Sequence, residues 1–513
     1  MERETLEVLS FVLSMKNTFA PINRIPPEAL SLIPDHWGHQ AEKDLIRLTH
    51  VCHGWREIFA SCSSLWTHLD CKNTEKTRVY IERSRSHPLE ISLKKLKSTS
   101  YSNDALLMAA PHTNRLGSLT IHIHSNALSS VLSHFPFPAP LLKELQIVIL
   151  DLNNPILDPA TLNAIFSDHL SPLRKLSLCG VVTDIPWRNL SNLTVFELHP
   201  ARRTLVDSLF VGKLLDFFES VPLLRKIELC NSIPDSPAVF PGRVIPLLAL
   251  ENLAINKFPA HSAFLDHLSI PRCALFKLRF SFSRDSHPIP FCFVNFGNLN
   301  TTTINLLVYT ARWTRMRLSG PGGVLRLSGT VYRWSAPSLL ESLGKSDLSK
   351  ARRLSVTAYP FQSDYKIEDT LVFHTLLPMN DLRILALIEV CDLPFIRALN
   401  PEENKSRTVL CPELEDLVIY AISQDNLYLE QLKDMARNRA MRFSKLSSIT
   451  IIDLSEGYQH HKRAIFSLKE YVWRVEYKSE VSPPDWDAVF GDRGDDENET
   501  PSQHMMHDDG GDD

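Results

Sequence analysis

From residue 88 onward, apolar positions return in one frame, Leu-x-x-Leu-x-Leu with conservative replacements. It begins at Leu116, Leu142, Leu173, Leu193, Leu224, Leu250 and Leu275, and again at Ala351, Leu382, Leu414 and Leu446. Weaker frames at Leu299 and Gly322 fill the interval before Ala351. Starts lie 20 to 32 residues apart, with a mean of 27.5. Alternation of this kind predicts a short strand, with its leucines pointing inward and the residues between them outward. Intervening stretches such as Val211–Ser220 predict helices, and Pro172, Pro222 and Pro412 stand where they can stop a helix before the next strand. Pro88-Leu89-Glu90-Ile91-Ser92-Leu93 predicts an opening strand. A single strand-plus-helix unit cannot bury its own apolar face, whereas stacked neighbours can.

The period sits at the long end of the about 20–29 residues of leucine-rich repeats. The expected class is therefore α/β, with an irregular leucine-rich-repeat-like solenoid over residues 89–465 and a strand plus a helix in each repeat. The asparagine that usually follows the third leucine is mostly missing, so irregular coils are expected.

Upstream the period changes. Leu45, Leu48, Cys52, Trp55 and Phe59 recur at three- and four-residue steps, one helix face, which Val51 and Ile58 widen. Asp44 is the expected N-cap of that helix. Before it, Ile25-Pro26-Pro27-Glu28-Ala29-Leu30 reads as a helix start, with proline in the first turn and an acid near the positive end. Pro34 should end that first helix, leaving Asp35–Lys43 as an insert. A segment of this size has little core of its own and is expected to need a partner.

In this order, Ile25-Pro26-Pro27-Glu28, Asp44-Leu45, Leu48-Thr49-His50-Val51-Cys52-His53-Gly54-Trp55-Arg56 and Leu65-Trp66 resemble an F-box. The resemblance covers Ile25 to about Leu69, and Arg78-Val79-Tyr80-Ile81-Glu82-Arg83 resembles sequences that follow that domain. It implies a small all-helical domain that binds a Skp-type adaptor and, through it, a cullin. Its implied contacts are Ile25, Pro26, Pro27, Leu30, Leu45, Leu48, Val51, Cys52, Trp55, Leu65 and Trp66. Expected organisation is an N-terminal helical extension (1–20), the F-box (21–70), a linker helix (71–88), the solenoid (89–465), an aromatic C-terminal cap (466–490) and a disordered tail (491–513).

Composition narrows the function. Net charge is −4, but the last 23 residues hold nine acids and one arginine, so the body is near neutral and gives no case for nucleic-acid binding. Nine scattered cysteines without a Cys-x-x-Cys pair predict reduced thiols in the cytoplasm or nucleus. Glu2, Glu4 and Glu7 replace a basic leader, and no apolar run is long enough to span a membrane, so no membrane partner is expected.

No phosphate-binding glycine loop and no nucleophile elbow occurs, and Gly320-Pro321-Gly322-Gly323 reads as a turn. His122 and His124 share a strand face without a third ligand, and Cys52 between His50 and His53 lies on the apolar stripe. No catalytic, cofactor or metal site is expected. Outward positions turn from charged (Lys175, Lys226, Glu197, Glu228, Lys277, Arg279, Arg353) to apolar near the C-terminus (Ile384, Ala386, Ile388, Val418, Tyr420, Ile452). That apolar set is the candidate substrate surface, weighed against burial under Phe466–Phe490. The expected function is a non-catalytic substrate receptor of a Skp–cullin–F-box ubiquitin ligase, acting on a protein substrate the sequence does not name. The alternative is a scaffold that holds a Skp adaptor outside any ligase.

Overall fold

A computed structural model describes residues 2–33, 41–94, 102–150, 166, 172–180, 190–200, 208–230, 243–258, 263–270, 275–281, 303–310, 313–321, 323–330, 348–358, 369–388, 393–404, 409–421, 426–442, 444–453 and 466–479. Pro34, the frame starts Leu299 and Gly322, residues 480–490 and the acidic tail lie outside them. The chain divides into two units, Met1–Pro234 and Asp235–Asp513.

The first unit opens with helices α1 (Glu2–Thr18), α2 (Pro27–Ser31), α3 (Ala41–Thr49) and α4 (His53–Ser61). Strand β1 (His68–Leu69) and helix α5 (Thr74–Ser84) follow, then β2 (Leu89–Lys94), α6 (Asn103–Ala109), β3 (Leu116–Ile123), α7 (Ser125–Leu132), β4 (Glu144–Ile149), β5 (Lys175–Cys179), β6 (Val195–His199), α8 (Ser208–Ser220) and β7 (Lys226–Cys230). Strands β1 to β7 pair side by side in chain order, all parallel. Frame leucines do what alternation requires: Leu119, Ile121 and Ile123 of β3, and Ile227 and Leu229 of β7, are fully buried. Helix α8 packs on the sheet through Phe217 and Phe218, whose rings lie 4.7 and 6.4 Å from that of Phe196 on β6.

One buried arginine joins the helices to this sheet. Arg115, just before β3, donates to the carbonyl oxygens of Ile81 (3.1 Å) and Arg85 and to Ser84 Oγ (3.0 Å), all at the C-terminal end of α5. These carbonyls are the groups a helix end leaves unmet.

The second unit holds β8 (Ile245–Pro246), β9 (Asn252–Phe258), β10 (Leu268–Ser269), β11 (Leu275–Ser281), β12 (Thr303–Thr310), β13 (Trp313–Gly320), β14 (Gly323–Thr330), β15 (Arg353–Ala358), α9 (Asp369–Leu376), β16 (Ile384–Ile388), α10 (Leu393–Leu399), β17 (Asp416–Ala421), α11 (Asn426–Met441), β18 (Ser448–Asp453) and β19 (Arg474–Ser479). Strands β15 to β19 pair parallel in chain order. Residues 466–479 therefore add a strand to the sheet edge-on.

Between Leu275 and Ala351, where weak frames were expected to carry the strand-plus-helix solenoid on, the described strands depart from that pattern. Strands β12, β13 and β14 form an antiparallel meander, so β11 pairs with β14 and β12 with β15. Two-residue links separate Thr310 from Trp313 and Gly320 from Gly323. A parallel return needs a crossover of about a dozen residues, so such links permit only reversal. Gly320 and Gly323 pair across the second one.

Arg439 of α11, fully buried, holds the approach to β17. It donates to the carbonyls of Leu410 (2.7 Å) and Cys411 (2.9 Å) and to Ser444 Oγ (2.8 Å). Burial pulls its guanidinium down to about 10. Cys411 stands in the left-handed region at φ 48°, an uncommon conformation for a non-glycine residue.

What is shown is a helical N-terminal segment followed by a mixed α/β architecture of helices and mostly parallel strands.

Candidate functional site

The N-terminal helices build a small core whose outer surface is the first candidate site. Pro27 opens α2 with Glu28 in its first turn, as proline geometry and the helix dipole favour. Leu30, Leu45, Leu48, Trp55 and Phe59 are all buried, and the Trp55 and Phe59 rings meet edge to face at 5.7 Å. Trp55 Nε1 donates to Asn23 Oδ1 at 2.6 Å, and Asn23 Nδ2 donates to the Asn17 carbonyl, also at 2.6 Å.

The continuous helix expected from Asp44 to Phe59 is two helices. Asp44 lies inside α3, and Cys52 is the extended N-cap residue of α4, at φ −158°. Thr49 Oγ1 donates back to the Ile46 carbonyl (2.7 Å), and Arg56 Nε donates to the Thr49 carbonyl (2.9 Å). A side chain therefore satisfies the end of α3 in place of the next helical turn. Residues 41–43, expected in the insert, already belong to α3.

This break redistributes the predicted contacts. Leu30, Leu45, Leu48, Trp55 and Trp66 face inward, Cys52 and Leu65 are half-buried, and Ile25, Pro26, Pro27 and Val51 are exposed. Trp66 Nε1 donates to the Phe59 carbonyl (2.8 Å), its ring meets Tyr80 at 4.9 Å, and Arg83 lies 4.4 Å over it. Trp66 thus fastens α4 to α5. Sequence reasoning missed Ile22, Leu32 and Ile46, which are exposed, like Val51 at 57%. Their signal was available as apolar residues off the main stripe. A buried core beneath an exposed apolar shell is what a docking module presents.

Two strand surfaces carry the remaining candidate residues. In the second unit, register aligns Ile388 with Tyr420 and Ile452, and then with Lys478. Tyr420 is half-buried and Ile452 is 4% exposed, while Ile388's side chain lies outside the described atoms. The neighbouring rung, Ala386, Val418, Thr450 and Glu476, is mixed, with Val418 half-buried. Half-buried Ile384 lies in line with Arg353, Asp416, Ser448 and Arg474 instead. Apolar character is therefore concentrated in one rung.

In the first unit, Lys226 Nζ lies 2.7 Å from Glu197 Oε1 and 3.2 Å from Glu228 Oε2. Burial opposes ionisation of Glu197, but the hydrogen bond and charge of Lys226, with Lys175 and Ser177, outweigh it and hold the carboxyl below its ordinary range. A depressed folded-state pKa stabilises above the unfolded value, about 4, and that contribution is lost as pH falls through the folded value. Lys226→Met should therefore flatten the acid limb of stability against pH, by about 0.5–1 kcal/mol after solvent screening. An unchanged acid limb in urea melts would refute the coupling.

Among the described residues, no three His, Cys, Asp or Glu side chains could share a metal ion, and no helix is long and apolar enough to cross a membrane.

Residues 22–72 match the F-box-like family. This segment is an F-box-like domain. The match spans α2, α3, α4 and β1 and ends just before α5. No curated protein matches the chain, so the strands beyond stand on their geometry. F-box domains bind Skp-type adaptors in the context of cullin-based ligases, which makes a Skp-type adaptor the partner the domain supports.

Proposed function

We propose that this chain is a substrate-receptor subunit of a Skp–cullin–F-box ubiquitin ligase. The F-box-like domain docks on the adaptor, and the strand-bearing region, read as leucine-rich-repeat-like around the β12–β14 meander, binds a protein substrate. The observation that carries the reading is the exposed set Ile25, Leu32, Ile46 and Val51, lying on a domain whose tryptophans already complete its own core. Catalysis is not asked of this chain. Holding a substrate beside a ubiquitin-loaded enzyme raises its effective concentration, and that alone accelerates transfer. The six described cysteines stand outside any disulfide, which fits a reducing cytoplasm or nucleus. Of the expected substrate contacts Ile384, Ile388, Val418, Tyr420 and Ile452, half-buried Ile384, Val418 and Tyr420 are the ones we assign to the substrate; Ile452, 4% exposed, packs into the core beside Tyr420 instead.

Affinity purification of the tagged full chain tests the reading. The parent should bring down both a Skp-type adaptor and a cullin, and folded Val51→Asp should bring down neither. Adaptor without cullin would move the assignment to a non-ligase scaffold.

A further inference from the structure

Immediately before the family match, and outside it, lies helix α1. Val8, Phe11, Val12 and Met15 fall at three- and four-residue steps on one stripe, and Leu9 and Leu13 widen it. Every one of these side chains is at least half exposed, with Val8 at 64% and Phe11 at 65%, and Phe19 beyond the helix is 69% exposed. Seven large apolar residues exposed within 12 positions far exceed the scatter of single apolar side chains on a soluble surface.

The helix is also tied to the domain. The Asn17 carbonyl, at its C-terminal end, accepts from Asn23 Nδ2, and Asn23 Oδ1 accepts from the buried Trp55 indole. Backbone bonds from Phe19 to Lys16, Ala20 to Asn17 and Asn23 to Ala20 close the intervening turn. Exposed apolar residues then continue along the chain through Ile22 and Ile25 to Leu32, into the surface assigned to the adaptor.

We propose that α1 is a second adaptor-docking element, extending the F-box-like surface of this chain by one apolar helix face held in place by the Asn17–Asn23–Trp55 latch. The inference rests on the adaptor reading above. Its occupant is the same Skp-type adaptor, because exposed apolar residues follow one another along the chain from Phe19 through Ile22 and Ile25 to Leu32 of the domain, and the Asn17–Asn23–Trp55 latch ties the end of α1 to that domain.

The test titrates a recombinant Skp-type adaptor into the full chain, comparing the parent with Phe11→Asp/Val12→Asp and with Val51→Asp. All three should keep the same unfolding midpoint, since these side chains are exposed. The α1 variant should bind about 10- to 30-fold more weakly, as for loss of apolar anchors at an interface. Unchanged affinity in the α1 variant beside lost affinity in Val51→Asp would overturn this proposal and leave the adaptor reading intact. No binding by the parent would instead defeat the adaptor reading. Two controls name other occupants: a parent that is dimeric by light scattering while the α1 variant is monomeric, or a parent that sediments with phosphatidylcholine–phosphatidylserine vesicles while the variant does not. Either result, with adaptor affinity unchanged, assigns the helix elsewhere and overturns the proposal.

Discussion

Trp55→Ala should destabilise the F-box-like domain by about 3–5 kcal/mol, the usual range for deleting a large buried aromatic. Trp55 is 7% exposed, meets Phe59 edge to face, and holds Asn23 through its indole N–H. Truncation opens a cavity and frees the latch that fixes the end of α1. Adaptor binding should fall as well, but through unfolding. The check is proteolysis and hydrogen exchange of residues 41–61 in the variant, with Trp55→Phe as the control that keeps apolar volume and loses the hydrogen bond. Were Trp55→Ala to melt like the parent and only bind less well, the side chain would be an interface anchor and not part of the domain core.

The second large effect is expected at Arg439. Replacing it by alanine leaves the buried carbonyls of Leu410 and Cys411 without their donor and opens a cavity in the second unit. At about 1–3 kcal/mol for each unsatisfied buried group, the loss should be on the order of 3 kcal/mol or more. Arg439→Lys separates charge from geometry. An ammonium keeps the charge but cannot span three acceptors in the planar fork of a guanidinium. Lysine should therefore recover less than half of the lost stability in denaturant melts. Full recovery would make charge, and not the fork, the important property.

These sites show where sequence reading reaches and where it stops. Frame leucines such as Leu176, Leu178, Leu417 and Ile419 were legible because alternation and burial are the same physical fact, and the strands form where the frame places them. The β12–β14 meander was not read, because an apolar frame carries no information on strand direction. Its short links did, and Gly320-Pro321-Gly322-Gly323 was recognised as a turn without its topological consequence being drawn.

In the F-box-like domain, the motif located the site but misassigned its faces. A helical stripe running from Leu45 to Phe59 crosses the break at Val51–Cys52 without losing its period, so periodicity could not show that Val51 turns outward. At that break Arg56 Nε donates to the Thr49 carbonyl, a contact between α4 and the end of α3 that hydrophobic periodicity does not encode. Likewise, the resemblance put both tryptophans among the adaptor contacts. Their indole N–H groups end on Asn23 and on the Phe59 carbonyl, within the domain itself. Arg115 and Arg439 gave no signal, since nothing in local sequence separates a buried arginine from the solvated ones around it.

The adaptor assignment is tested most directly by calorimetric titration of a purified Skp-type adaptor into the full chain, with the parent and Val51→Asp compared at equal unfolding midpoints. Docking through the outward face of the F-box-like domain predicts a saturable 1:1 complex for the parent and at least about a 30-fold weaker one for the variant. A parent that does not bind, or a folded Val51→Asp that binds as tightly as the parent, would contradict it.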